Sequence, residues 1–179
     1  MIPDEVLLRP GTSVIMNLRH PAHVVVAAYR GLRDLEHGAD RLNVILITTL
    51  RWQREMYDWF VSKGIKPVLA ESEDYMTSPD FVKKLCKEAG LDPDHAIFSW
   101  PKATEEELAN MNPMYAKLLW SLLHSDGLNP SYAKKRLDFD VELAKWKEEF
   151  GEDIANFLRE EVEASMPHYE YLRAKKLTM

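Results

Sequence analysis

Three residues around one proline carry chemistry in the first part of this sequence. Arg19, His20 and His23 surround Pro21. An arginine at the end of a strand is placed to bind an anion, because ligand clefts of α/β sheets open there. Its alternative is an ion pair with Asp34, Glu36, Glu73 or Asp74. His20 and His23 suit general acid–base work, since histidine titrates near neutrality. Three apart on a helix, they also have a metal-pair spacing. No carboxylate stands beside them in the sequence, so no metal site is assigned. Tyr29, further along the same helix, is a third catalytic candidate. Glu71, Glu73 and Asp74 follow a second strand, where they pair with Lys83 and Lys84 or serve a ligand. Trp52, Tyr57, Trp100 and Tyr115 are candidates to line an apolar substrate pocket. Cys86 lies on a helix face with Val82 and Ala89 and reads as a buried, inert thiol.

The elements that must hold these residues are legible from breakers and caps. Ser13–Leu18 and Pro67–Glu71 are short apolar runs bounded by Pro and Gly, as buried parallel strands are. Between them, Pro21–Asp34 and Asn43–Lys63 read as helices, the second closed by Gly64. Ser78-Pro79-Asp80 opens a helix that runs to Ala89. Beyond residue 100 every segment reads as helix. Thr104 with Glu107 has a capping-box pattern. Asn112-Pro113 opens a helix ending at Gly127, and Asp138 or Asp140 opens one ending at Gly151. Two more follow, separated at Pro167. The expected fold class is therefore α/β and helix-rich, with a short parallel sheet and an all-helical C-terminal half. One domain is expected over residues 1–179, with an α/β part (1–100) and a helical part (101–179).

Composition narrows the function. The 179 residues carry 23 Lys and Arg against 29 Asp and Glu, a net charge of −6. That argues against non-specific nucleic-acid binding. The charge is uneven: residues 1–70 hold nine basic against seven acidic residues, and 71–179 hold 14 against 22. An anion site is thus expected in the first part. One cysteine excludes an intrachain disulfide. No apolar run has the length of a membrane span, and the first residues lack the features of a signal peptide. A cytoplasmic location is the expectation.

The run Leu18-Arg19-His20-Pro21-Ala22, with Ala28-Tyr29-Arg30 behind it, resembles a signature of the P-loop sulfotransferase family. A second landmark follows: Val68-Leu69-Ala70-Glu71-Ser72-Glu73-Asp74, then Pro79 and a helix ending at Gly90. The helix with Leu50-Arg51-Trp52 and Tyr57-Asp58-Trp59-Phe60, and the later Asp92-Pro93-Asp94-His95 with Trp100, are most similar to a fungal sulfotransferase-like branch. The resemblance implies a P-loop NTPase-type fold. It also implies that Arg19 matches the residue that binds the ribose phosphate of the sulfate donor PAPS. The family's phosphate-binding Ser is Ala27 in this sequence, and its adenine-stacking aromatic is Ser72. No Gly-x-x-x-x-Gly-Lys pattern occurs, and the seven glycines are isolated. Against the family, the chain reads as truncated, without the N-terminal phosphate loop and the catalytic His.

The functional expectation is a repurposed protein without sulfate-donor binding and with no cofactor. It would act on a small hydrophobic organic metabolite as a cofactor-independent cyclase or isomerase, a pericyclase of Diels–Alder type included. The candidate residues are His20, His23 and Tyr29 for catalysis, and Arg19, Trp52, Tyr57, Trp100 and Tyr115 for substrate binding. Neither nucleic acid nor membrane is expected as a partner. A homodimer through the exposed sheet edge is. The alternatives are a non-catalytic binding or dimerisation protein, and a fragment of a PAPS-dependent sulfotransferase.

Overall fold

Pro10-Gly11 and Lys63-Gly64 deliver the chain into two short strands, β1 (Ile15–Leu18) and β2 (Val68–Glu71). These are features of a computed structural model, which describes residues 3–35, 38–128, 130–133 and 137–179. The strands pair in parallel, Ile15 opposite Val68 through Leu18 opposite Glu71. Each starts one or two residues later than the apolar runs suggest. In β1, Met16 and Leu18 are buried while Ile15 and Asn17 face outward. In β2, Leu69, Ala70 and Glu71 are all buried. With only two strands in the sheet, the helix-rich half of the expectation dominates.

Eleven α-helices surround the sheet among the described residues. They are α1 (Asp4–Leu7), α2 (Pro21–Asp34), α3 (Arg41–Thr48), α4 (Arg51–Ser62), α5 (Ser72–Thr77) and α6 (Pro79–Glu88). Then come α7 (Glu105–Asn110), α8 (Pro113–Leu118), α9 (Trp120–Leu123), α10 (Phe139–Phe150) and α11 (Glu152–Arg173). Caps explain several starts. The carboxylate of Asp138 accepts from the Val141 amide, the Ser78 hydroxyl from that of Phe81, and Thr104 with Glu107 closes a complete capping box.

Three expectations fail here. The single helix expected over 43–63 is two, α3 and α4. Thr49 takes an extended conformation, and its hydroxyl accepts from the Arg51 amide. The Thr48 hydroxyl donates back to the Val44 carbonyl. Two adjacent β-branched hydroxyl residues thus offer the backbone a local alternative to the helix. The break re-aims the apolar stripe, leaving Leu46, Trp52 and Met56 exposed. The helix expected from Asn112 to Gly127 is likewise two short ones, α8 and α9. The segment between β2 and Ser78, to which the sequence assigns no element, is the helix α5. Conversely, Pro167 does not end a helix: α11 runs through it. The buried face of α11, with Leu158 and Val162 on one side of Pro167 and Tyr169 and Leu172 on the other, packs strongly enough to outweigh one missing amide donor.

Two cores form. One joins α2, α3, α10 and α11 through Val25, Val26, Val44, Trp146, Phe157 and Leu158. The other joins the sheet, α4 and α11 through Met16, Leu18, Phe60, Leu69, Tyr169 and Leu172. Helix α11 is therefore common to both. Beyond it the tail bends back, and the Leu177 amide donates to the Leu69 carbonyl at 2.8 Å.

Candidate active site

The C-terminal ends of both strands meet a buried polar network. Glu71 closes β2 with only 6% of its surface exposed. The Tyr169 hydroxyl of α11 donates to one of its carboxylate oxygens, and Lys176 of the tail donates to the other. Lys176 also donates to Asp74 at 2.6 Å, and Arg173 lies 3.6 Å from Glu71. Burial pushes the Glu71 carboxyl up. The hydrogen bonds from Lys176 and Tyr169 and the nearby cations outweigh it, so it ends below its ordinary value. Burial and the Glu71 acceptor push the Tyr169 phenol well above its ordinary range. Burial lowers Lys176, but its two carboxylate partners raise it further. Near neutral pH, Glu71 is thus a carboxylate while Tyr169 and Lys176 keep their protons. The network holds the strand end in shape rather than moving protons.

His20 sits against this network. Its Nδ1 accepts the Ala22 amide at 3.2 Å, capping α2. Its ring meets that of Tyr169 edge-on, centroids 5.1 Å apart. Half-burial lowers its basicity, against an upward pull from Glu73 and Glu71. With Nδ1 accepting, the neutral ring carries its proton on Nε2. His23 is buried one turn on. Arg19 is exposed just past β1 and forms no ion pair among the described residues. Asp34 pairs with Arg33 and Asp74 with Lys176 instead, while Glu36 lies outside the described residues. Glu71 and Asp74 bind Lys176 rather than Lys83 or Lys84. Tyr75 donates to the Asn17 side chain at 3.2 Å, and the charge of Arg19 partly offsets the effect of burial on its phenol.

The remaining candidates are scattered. Tyr29 stands nine residues beyond His20, about 14 Å along the helix axis. There it packs edge-on against Phe150, centroids 5.0 Å apart. Trp52 projects into solvent on α4, and Tyr115 does so on α8. Tyr57 is buried in the sheet-side core. Tyr57 also borders a hollow of about 320 Å³, and Trp100 lines a larger one.

That hollow is built by two segments on either side of α7–α9. Residues 98–103 run antiparallel to 123–128, with Ser99 bridging Gly127. The Trp100 amide donates to the Asp126 carbonyl and the Ala103 amide to the Leu123 carbonyl. A Cβ on Gly127 would stand 2.7 Å from the Phe98 carbonyl, so glycine is what lets the segments close. The space they frame, about 740 Å³, is lined chiefly by Trp100, Pro101, Ala103, Met111, Leu122 and Leu123. Beside it lies a smaller, more polar hollow of about 330 Å³, walled by Ser121, His124, Ser125 and Asp126. Lys102 borders both. Lys102 and His124 carried no motif to mark them. Among the described residues, no three of His, Cys, Asp and Glu gather where they could hold a metal. No helix of the described residues is long and apolar enough to cross a membrane.

No family model matches the chain, and no solved structure matches it. Two curated fungal proteins do. The "Sulfotransferase ppzF" of Metarhizium majus is 30% identical over 191 aligned positions, covering 99% of this chain and 56% of that protein. The protein of the same name from Metarhizium rileyi matches to the same extent. The chain thus spans about half the length of the curated relatives it matches. Along nearly all of its residues, the chain is similar to part of two fungal proteins named sulfotransferases.

Proposed function

We propose that this chain binds a small, largely apolar organic metabolite in the hollow beside Trp100. There it acts as a cofactor-independent cyclase or isomerase, without a sulfate donor. The observation that carries the reading is the hollow itself: about 740 Å³, mostly apolar, with Lys102, Glu106, Glu107 and Asn110 as its polar groups. Small-molecule sites have this size and makeup. Holding a reactive chain in one folded conformer supplies several kcal/mol of a barrier. A pericyclic closure of Diels–Alder type asks for little else. The state of the strand end supports the same reading. His20 is spent on a cap, Tyr169 and Glu71 on each other, and Tyr29 on Phe150. Ala27 and Ser72 stand where the family resemblance calls for donor-binding side chains. A second copy along the outer edge of β1 completes the reading, since Ile15 is left exposed there.

Titration with the neutral dye N-phenyl-naphthylamine tests the pocket. We expect saturable binding that is lost in Ala103→Phe, whose ring fills the hollow. Binding unchanged by that substitution sinks the assignment. Calorimetry with PAPS tests the donor half of the reading. We expect no heat of binding, and micromolar affinity would overturn it.

A further inference from the structure

His124 lines the smaller hollow with one of its ring nitrogens already committed. Its Nδ1 lies 2.9 Å from the Trp120 carbonyl. A carbonyl oxygen accepts only, so the ring's proton is on Nδ1, and neutral His124 keeps its lone pair on Nε2. The ring also stacks on Trp120, centroids 3.5 Å apart and planes 27° from parallel. A carbonyl and an aromatic face therefore fix both tautomer and orientation, as a general base requires. Lys102 walls the same hollow, kept there by Asp126 at 3.6 Å. Lys102 also borders the larger apolar hollow. A ligand whose carbon body lies against Trp100 and Leu123 would thus reach Lys102 and His124 with one polar end.

We propose that His124 and Lys102 form a proton-transfer site for a β,γ-unsaturated carbonyl compound with an apolar body. The inference rests on the proposed pocket and deepens it, naming the substrate class and the acid–base pair. His124 Nε2 takes a proton from the carbon next to the carbonyl. The C–H electron pair becomes a carbon–carbon double bond, and the carbonyl π pair moves onto the oxygen, where the Lys102 ammonium stabilises the enolate. The proton then returns to the far carbon of the adjoining double bond. That carbon gains a C–H bond, the double bond shifts, and the enolate collapses to the carbonyl. Nothing is oxidised or reduced, and no co-reactant is consumed.

The test uses the full chain and a chromogenic probe of base catalysis, a nitrobenzisoxazole. A base removes its ring proton as the N–O bond breaks, releasing a coloured cyanophenolate. Wild type should open the probe faster than free imidazole at equal concentration. His124→Gln should lower the rate at least about tenfold. Lys102→Met should lower it by less, and His95→Gln, at an exposed histidine paired with Asp92, should leave it unchanged. Dye binding, measured alongside, separates the two claims. Intact dye binding in His124→Gln with an unchanged probe rate overturns the base assignment and leaves the pocket standing. No acceleration by wild type overturns the base assignment as well. Loss of saturable dye binding in wild type removes the pocket reading first.

Discussion

Glu71 is the residue on which the strand end depends. It is buried, and its partners come from the last turns of the chain. Glu71→Gln keeps the volume but takes one of Lys176's two carboxylate partners away, leaving Asp74. Removing one member of a buried pair is costly because the other stays desolvated. Lys176 is partly solvated, so we expect a loss of about 2 kcal/mol, read as a lower urea midpoint. The wild-type carboxyl lies below its ordinary value of 4.5. Its contribution is therefore full above that value and fades as pH falls further. His20 acts in a separate window. Burial holds it below its ordinary value of 6.5, so the unfolded chain takes up a proton first as pH falls through that value. Stability should therefore decline on acidification below about 6.5. His20→Asn keeps a capping side chain and removes the titration. Denaturation midpoints between neutrality and mildly acidic pH should then run flatter than in wild type. An unchanged slope would show that His20 does not set it.

At the scale of elements, Pro167 offers the clearest measurement. It sits inside α11 and denies an amide donor to the preceding turn. Because the helix is continuous on both sides, Pro167→Ala should raise stability by about 1–3 kcal/mol. A loss would mean that the proline shapes the helix to fit both cores. Elements were legible wherever a local signal marks a boundary. Pro21 and Asp34 bound α2, Asp138 caps α10, Gly151 ends it, and Thr104 pairs with Glu107. The boundaries that misled were contests between local signals and packing. Thr48 and Thr49 broke a helix whose periodicity ran on, and the buried face of α11 carried a helix through a proline. The site was less legible still. Arg19 and His20 announced themselves beside Pro21. Lys176 sits 105 residues from Glu71, and no spacing rule links them. His124 gains its meaning only from the carbonyl and ring of Trp120, one turn back.

For the whole molecule, the open question is what lies along β1. Its outward residues, Ile15 and Asn17, leave backbone groups beyond the sheet, of which Gln53 takes the Asn17 carbonyl. Four-residue strands in a two-stranded sheet form a small platform. With the proposed second copy in place, light scattering should return twice the 20.8 kDa of the chain. Ile15→Lys should return the single mass, because a charged edge resists strand addition. A single mass for wild type at every concentration would remove the dimer from the reading.

The returning tail also has a consequence for synthesis. The cap on Leu69 and the partner of Glu71 are supplied by Leu177 and Lys176. While the ribosome is still extending the chain, β2 can form, but its terminal carboxylate has no cation and its edge no cover. The sheet-side core also waits for Tyr169 and Leu172. Folding of this half thus waits until residues 169–177 are available, and until then the strand edge stays exposed. Released chains that stop short of residue 176 should therefore be digested much faster than chains that include Lys176 and Leu177.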